Sequence, residues 1–278
     1  MKHILLATLA LALPSPALAG EAEDAAAAQA LKAIDARYDD TAKVARQIWE
    51  WAEVGYKEER SSALLQERLK TAGFKVTPGV AGIPTAFIAE YGSGGPVIAI
   101  LAEYDALPGI NQDALPTRAQ LPGKGAAHAC GHNLFAAGSL GAALAVRDWL
   151  KATGTPGRVR LYGTPAEEGG SGKVYLVREG LFKDVDFSIH WHADDENSAA
   201  ARTSLDDPAA TVRYTGAFQD AVGVCGRARS ALDGVEAMNM MANMMREHVP
   251  QQTRMHYVIT EGGSAPNVVP DFAEVFYY

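Results

Sequence analysis

The segment at residues 124–138, KGAAHACGHNLFAAG, concentrates side chains that bind transition metals. His128, Cys130 and His132 lie close together, and small and apolar residues follow them as in a helix. Thiolate and imidazole ligands suit a borderline cation such as zinc, manganese or cobalt. Because the chain has only 2 cysteines, a cysteine between two histidines favours a metal site over a disulfide.

Further ligands and acids follow predicted strands at three other places along the chain. They are Glu103 and Asp105 at the end of PVIAILAE, Glu167 and Glu168 after RVRLYGTP, and His190 and His192 at the end of VDFSIHWH. Ligand sites gather at the carboxyl ends of strands in α/β sheets, so we expect these loops to meet. Metal-assisted hydrolysis needs both metal ligands and a base for water, and two adjacent carboxylates can supply one of each.

The elements that must position these loops alternate between helices and strands. Helical spacing of apolar residues marks residues 30–51, and a second helix, SSALLQERLKTAG, ends at Gly73. TAFIAEYG, PVIAILAE, RVRLYG and VDFSIHWH have strand patterns, and helices beginning at HNLF and KVYL separate the later ones. This order predicts an α/β fold with a mostly parallel sheet layered with helices in residues 20–205.

The pattern changes near residue 206, where an extended segment leads to a methionine-rich helix and two strands. Residues 206–278 are therefore predicted to form a smaller α+β domain. Methionine is a flexible apolar residue that fills irregular gaps in cores. We accordingly expect the methionines of SALDGVEAMNMMANMMREHV to pack inside this domain rather than to form a functional surface.

Residues 1–19 have the pattern of a secretory signal peptide, with a short buried helix as the alternative. Lys2 and His3 precede an apolar run at residues 4–13, and Ala17 and Ala19 form an A-x-A cleavage site. A cleaved signal peptide predicts a periplasmic or secreted protein. No other run approaches the ~20 apolar residues of a membrane span.

The charge of the chain argues against two classes of partner. The formal net charge is −8, from 25 basic and 33 acidic side chains that form no long run of one sign. Nucleic-acid-binding proteins present a basic surface to phosphate, and membrane-surface proteins carry polybasic segments. We therefore expect neither a nucleic acid nor a membrane as a partner.

Six motifs in order along the chain are similar to those of a known family. They are AEYDALPG, HACGHN, GTPAEEGGSGK, VDFSIHWH, GRARSALDGVEAMN and GGSAPNVVPDFAEV. They resemble the aminoacylase and carboxypeptidase-G-like metallopeptidases, in particular the amidohydrolase branch with the auxin-conjugate and hippurate hydrolases. The resemblance implies two divalent metal ions, zinc or manganese, and hydrolysis of the amide bond of small N-acyl amino acids such as p-aminobenzoyl-glutamate. It also implies that the smaller domain is a lid or dimerisation domain, in a homodimer or a heterodimer with a related subunit.

The resemblance also implies roles for individual residues. The implied metal ligands are Cys130, His132, Glu168 and His192, with His190 as the alternative to His192. The other implied roles are Glu167 as general base, Asp105 as a carboxylate that orients a site residue, and His128 as a structural residue. Asn267 resembles a residue that contacts substrate, with a turn asparagine as the alternative.

Two features depart from the family pattern. The family places a histidine shortly before the RSALDG helix, where it helps to stabilise the tetrahedral oxyanion, and Asp220 occupies that place here. Local frame shifts are one hypothesis for the altered segment at residues 217–228. The chain also ends at Tyr278, before the point where the family supplies its last histidine ligand.

These departures leave alternatives to an active enzyme. An anion at position 220 would repel the oxyanion, and loss of one oxyanion donor costs on the order of 100- to 1000-fold in rate. The second hypothesis is therefore a catalytically inactive remnant of such a hydrolase that at most binds metal. A metal-handling protein is a third class, but the repeated histidine or cysteine tracts typical of that class are lacking.

Overall fold

The computed structural model describes residues 16–193, 199, 210–216, 219–220, 229–266 and 268–278. The chain divides into two compact units, residues 1–196 and 197–278. The predicted domain boundary at residues 205–206 and most of the predicted signal peptide lie outside the described residues, so both stay predictions. Among the described helices, none has the length and apolar character that crossing a membrane requires.

The first unit alternates helices and strands. Its helices are α1 (Pro16–Asp35), α2 (Tyr38–Trp51), α3 (Glu59–Thr71), α4 (His132–Thr153), α5 (Glu167–Gly170) and α6 (Gly172–Arg178). Its strands are β1 (Lys75–Pro78), β2 (Phe87–Ser93), β3 (Val97–Ala102), β4 (Leu107–Pro108), β5 (Ala126–Ala127), β6 (Gly157–Gly163) and β7 (Phe187–Ile189). The helix predicted at residues 30–51 is divided between α1 and α2. The second predicted helix ends just before Gly73, which has a φ of 87°.

Five of these strands form one mixed sheet in the order β1-β2-β6-β3-β7. Strand β3 runs parallel to β6 and β7, whereas β2 pairs antiparallel with β1 and β6. The predicted α/β class is confirmed. The parallel pairings in this sheet are those of β3 with β6 and of β3 with β7. Strands β2 and β3 follow one another in the chain but do not pair, because β6 lies between them.

The core of this unit lies between the sheet and helices α2, α3 and α4. Ile100 of β3 and Leu161 of β6 pack in one apolar cluster with Val44, Leu65 and Leu140 of the three helices. Burial of an apolar side chain of this size contributes about 1.5–3 kcal/mol to the stability of the folded state. The packed helices therefore fix the position of the sheet edge from which the polar loops emerge.

The strands β3, β6 and β7 end at the same edge of the sheet because they are parallel. Glu103 directly follows β3, His190 directly follows β7, and Glu167 follows β6 after a short connection. Helix α4 adds His132 to this edge. Gly131 turns the chain into α4 with a φ of 84°, a left-handed conformation that glycine adopts without strain.

The second unit contains a three-stranded antiparallel sheet in the order β10-β12-β8 and a helix packed on it. Its elements are β8 (Ala210–Thr215), β9 (Gln219–Asp220), α7 (Ala231–Met244), β10 (Tyr257–Glu261), β11 (Val268–Val269) and β12 (Phe272–Tyr277). Ala231 and Val235 of α7 form the buried core with Ala273 and Val275 of β12. The strands of this sheet and α7 follow one another as β8, α7, β10 and β12, which is the predicted order of an extended segment, a helix and two strands, and the short strands β9 and β11 are additional.

The prediction that the methionines of this helix fill the core is wrong for most of them. Those exposed by 53–61% are Met240, Met241, Met244 and Met245. The buried face of α7 instead carries Ala231, Val235 and Asn239, which recur every four residues. Met240, Met241 and Met244 fall on the other faces of α7 because they lie outside this spacing, and Met245 lies directly after the end of the helix.

We predict that Leu161→Ala destabilises the first unit by about 2–5 kcal/mol, because Leu161 has no exposed surface in the central strand β6. All 4 tryptophans of the chain lie in this unit, so tryptophan fluorescence in urea follows its unfolding. Leu115→Ala is the control, because Leu115 is 53% exposed, and it should change the unfolding free energy by less than about 0.5 kcal/mol. Equal losses in the two variants would contradict this core.

Candidate metal centre

His132, the first residue of α4, lies at the centre of the polar cluster and is fully buried. Its Nδ1 atom is 3.0 Å from Asp105 Oδ1. A carboxylate only accepts hydrogen bonds, so Nδ1 is the donor. The other ring nitrogen, Nε2, is then the atom available to a cation, an arrangement common to metal-binding histidines.

Cys130 and His192 lie next to this imidazole. The Cys130 Sγ atom is 3.3 Å from His192 Nε2, and the two residues with His132 offer three ligand atoms within 4.8 Å of one another. The His192 Nδ1 atom donates to the Ala193 carbonyl oxygen at 2.8 Å, which turns Nε2 toward Cys130. Three of the four predicted metal ligands are thus brought together.

The Glu167 and Glu168 side chains differ in exposure, as expected of adjacent carboxylates that point in different directions. Glu167 Oε2 lies 3.8 Å and Glu168 Oε1 lies 4.0 Å from His132 Nε2. These similar distances do not show which of the two glutamates is the metal ligand and which is the base. The two side chains differ in burial, because the Glu167 side chain is 44% exposed and the Glu168 side chain is 15% exposed. Burial also raises the pKa of Glu168.

Asp105 connects the histidine and the glutamate pair. While its Oδ1 atom contacts His132, its Oδ2 atom accepts the backbone N–H of Glu168 at 2.8 Å. Asp105 is buried, so these contacts are shielded from water. The orienting role of Asp105 stays a prediction, and its contacts with His132 and Glu168 are the ones that such a role requires.

Glu103 takes part in the cluster, although the sequence pattern gave it no role beyond a strand-end position. Its buried carboxylate contacts Lys173 Nζ and lies 3.0 Å from His132 Nε2. Glu103, His132 and Glu167 form a second group of ligand atoms within 4.8 Å. His190 Nε2 lies 3.2 Å from Glu103 Oε1. His132 therefore belongs to both ligand groups, and Lys173 is a charged neighbour that spacing alone did not indicate.

Burial and the neighbouring carboxylates raise the pKa values of the Cys130 thiol and the His132 imidazole, with burial the largest cause for Cys130 and the carboxylates the cause for His132. Burial alone would lower the pKa of His132, but its contacts with Asp105 and Glu103 outweigh burial and raise the pKa to about 10. Burial and the negative charge of Glu168 raise the pKa of the Cys130 thiol to about 12. The site thus has a negative potential that a divalent cation would neutralise.

Two unpaired buried atoms in this cluster fit a bound cation. His132 Nε2 and Glu168 Oε1 are inaccessible to solvent, and neither makes a hydrogen bond of good geometry, although Glu103 Oε2 lies 3.0 Å from His132 Nε2. A buried polar atom without a partner costs about 1–3 kcal/mol, so such atoms call for an explanation. A donor set of thiolate, imidazole and carboxylate suits zinc and related divalent ions. The residues present therefore fit the predicted metal.

The remaining residues singled out in the sequence are His128, Asn267 and Asp220. His128 Nε2 lies 3.1 Å from the Ile48 carbonyl oxygen, and burial lowers its pKa to about 4, which suits a neutral structural histidine. Asn267 lies outside the described residues. Asp220 belongs to β9 in the second unit, where its backbone pairs with Val268.

A model of peptidase family M20/M25/M40 matches residues 99–272. The chain belongs to this family. Membership confirms the resemblance inferred from the six motifs, and it accounts for the mixed α/β sheet. The matched region includes every predicted site residue from Cys130 to Asn267, and Asp105 as well.

Among curated proteins, a subunit of the p-aminobenzoyl-glutamate hydrolase of Escherichia coli (strain K12) is 44% identical over 252 residues, which are 89% of this chain and 51% of that protein. The six motifs resemble this hydrolase subunit in particular, and that likeness is confirmed. The chain spans about half the length of the curated relatives it matches.

Two solved structures share the fold of this chain. An aminobenzoyl-glutamate utilization protein from Klebsiella pneumoniae has a TM-score of 0.55 at 18% identity, covering 90% of this chain and 69% of that chain. A dinuclear metal-binding M20 peptidase from Bacillus subtilis has a TM-score of 0.52 at 22% identity, covering 88% and 65%. At these identities the likeness establishes the fold alone.

We predict that the affinity of the cluster for Co²⁺ rises with pH. Metal binding displaces the protons that His132 and Cys130 hold below their pKa values of about 10 and about 12. Between about pH 6 and 9 the affinity should rise about tenfold per pH unit for each proton released. Isothermal titration measures the affinity, and the cobalt–thiolate absorption band, which Cys130→Ala should lack, reports binding by sulfur. A pH-independent affinity would contradict these ligands.

Proposed function

We propose that this chain carries the centre of a metal-dependent amidohydrolase that cleaves the amide bond of N-acyl amino acids such as p-aminobenzoyl-glutamate. The observation that carries the proposal is the convergence of Cys130, His132 and His192 beside the carboxylates of Glu167 and Glu168. The 44% identity to a p-aminobenzoyl-glutamate hydrolase subunit supports the substrate class.

Cys130, His132, Glu168 and His192 would hold two divalent ions, zinc or manganese. Such ions, when bound, polarise a carbonyl group and lower the pKa of water. Glu168 suits a ligand because its Oε1 atom is buried beside His132 Nε2 without a hydrogen bond. The Asp105 carboxylate orients the His132 ring and the Glu168 backbone at the same time.

Glu167 is the general base of the proposed reaction. Its side chain is 44% exposed, so water and substrate reach it, while its Oε2 atom stays 3.8 Å from His132 Nε2. Glu167 takes a proton as the water oxygen bonds to the amide carbon, and it delivers that proton to the nitrogen as the C–N bond breaks. The products are a carboxylate and a free amine.

Substrate, partner and location form the remaining parts of the proposal. The substrate is a small N-acyl amino acid, and Asn267 contributes to its binding. The chain works in a homodimer or with a related subunit, which the name of the Escherichia coli relative, a hydrolase subunit, supports. The signal-peptide pattern of residues 1–19 supports a periplasmic or secreted location.

A catalytically inactive remnant that binds metal is the second candidate. Asp220 favours it, because an anion in place of the family's histidine would repel the oxyanion of the tetrahedral intermediate. The two candidates share the metal ligands and differ in turnover. Metal binding without turnover in the unmodified chain would favour the remnant.

We predict that Glu167→Gln lowers kcat by about 100- to 10,000-fold, because glutamine keeps the shape of the side chain but cannot take a proton. Release of p-aminobenzoate from p-aminobenzoyl-glutamate, with Zn²⁺ or Mn²⁺ added, measures the rate. Co²⁺ affinity should change little in this variant, whereas Glu168→Gln should weaken it. Turnover by Glu167→Gln equal to that of the unmodified chain would exclude Glu167 as the base.

A further inference from the structure

The turn that carries Glu167 and Glu168 has a backbone that its residues disfavour. Ala166 has a φ of 56° and Ser171 a φ of 51°, which place both non-glycine residues in the left-handed region. Residues in this region persist where the surrounding structure holds them, and they cluster at functional sites. The turn therefore depends on contacts from outside itself.

Glu58, the residue directly before α3, provides one of these contacts from far away in the sequence. Its side chain has no exposed surface. Its Oε1 atom accepts the Ala166 N–H at 2.8 Å, and its Oε2 atom accepts the Thr85 hydroxyl at 3.0 Å. The first hydrogen bond holds the Pro165–Ala166 peptide, one residue before Glu167.

Two neighbours of Glu58 contact the same turn. The Tyr56 hydroxyl donates to the Gly170 carbonyl oxygen at 2.5 Å. Gly55 packs so closely on Ala166 that an added Cβ atom would lie 3.1 Å from the Ala166 Cα atom. Residues 55–58, here called the clamp segment, thus hold the turn at both ends.

We propose that Glu58 is a positioning residue for the Glu167–Glu168 pair, acting through the Ala166 backbone. It fixes the turn so that the Glu168 carboxylate faces the cation site and the Glu167 carboxylate faces substrate. The consequence for turnover rests on the proposed function, whereas the consequence for the turn rests on the geometry alone. Buried residues that orient metal ligands affect metal affinity or activity about 10- to 100-fold.

Glu58→Gln and Glu58→Met separate hydrogen bonding from packing. Both new side chains are unbranched and close to glutamate in length, but only glutamine keeps an amide oxygen that accepts the Ala166 N–H. Ser62→Ala is the matched control, because it removes a buried hydrogen bond to the Thr85 carbonyl oxygen at 2.7 Å without touching the turn. Co²⁺ affinity, kcat, KM and amide hydrogen exchange of residues 164–172 are measured in the full chain.

We expect Glu58→Met to lower Co²⁺ affinity and kcat by about 10- to 100-fold and to speed hydrogen exchange in residues 164–172. Glu58→Gln should stay within about threefold of the unmodified chain in each measurement, since it restores the acceptor. Ser62→Ala should lower stability and leave these values unchanged.

The inference is overturned if Glu58→Met keeps the metal affinity and hydrogen exchange of the unmodified chain, or if Ser62→Ala produces the same losses. If the unmodified chain neither binds Co²⁺ nor hydrolyses the amide, the proposed function fails. The exchange of residues 164–172 then decides by itself whether Glu58 holds the turn, so the two failures are distinguishable.

Discussion

The carboxylate of Asp105 is the constraint on which the cluster depends. One of its oxygens lies 3.0 Å from His132 Nδ1 and the other accepts the Glu168 N–H at 2.8 Å. His132 begins α4 and Glu168 follows β6, so a single buried side chain sets the separation of two loops. Hydrogen bonds to a charged group are short and strong, and burial strengthens them further. The loops are thereby joined at the point where their ligand atoms meet.

Charge balance is the second requirement of this arrangement. The carboxylates of Glu103, Asp105 and Glu168 are all largely buried, and an uncompensated buried charge costs several kcal/mol. Lys173 compensates Glu103, and the proton on His132, with its pKa of about 10, compensates the rest. A divalent cation and this proton are alternatives, because both neutralise the same carboxylates. The negative potential that raises the pKa of His132 therefore also favours a cation.

The sequence indicated which polar side chains meet better than it indicated the strand order of the sheet that carries them. Cys130 and His132 are recognisable because their types are rare and their spacing is local, and His192 lies three residues after the short strand β7. The insertion of β6 between β2 and β3 depends on pairing between strands far apart in the chain, which local patterns do not encode. The prediction that the methionines of α7 fill the core is wrong for a related reason. Their type suggests a core, whereas their position on the helix decides their exposure.

Residues that support the predicted ligands are harder to find in a sequence than the predicted ligands themselves, and Glu58 shows why. Nothing in its type or neighbours distinguishes it from Glu59, which is exposed. Its partner, the Ala166 N–H, lies 108 residues further along the chain. Only burial separates the two glutamates, since a carboxylate with no exposed surface requires hydrogen-bond partners. Residue types therefore predict which side chains could bind a metal. The contacts that hold those side chains in place join residues far apart in the chain, and they become visible only in the folded structure.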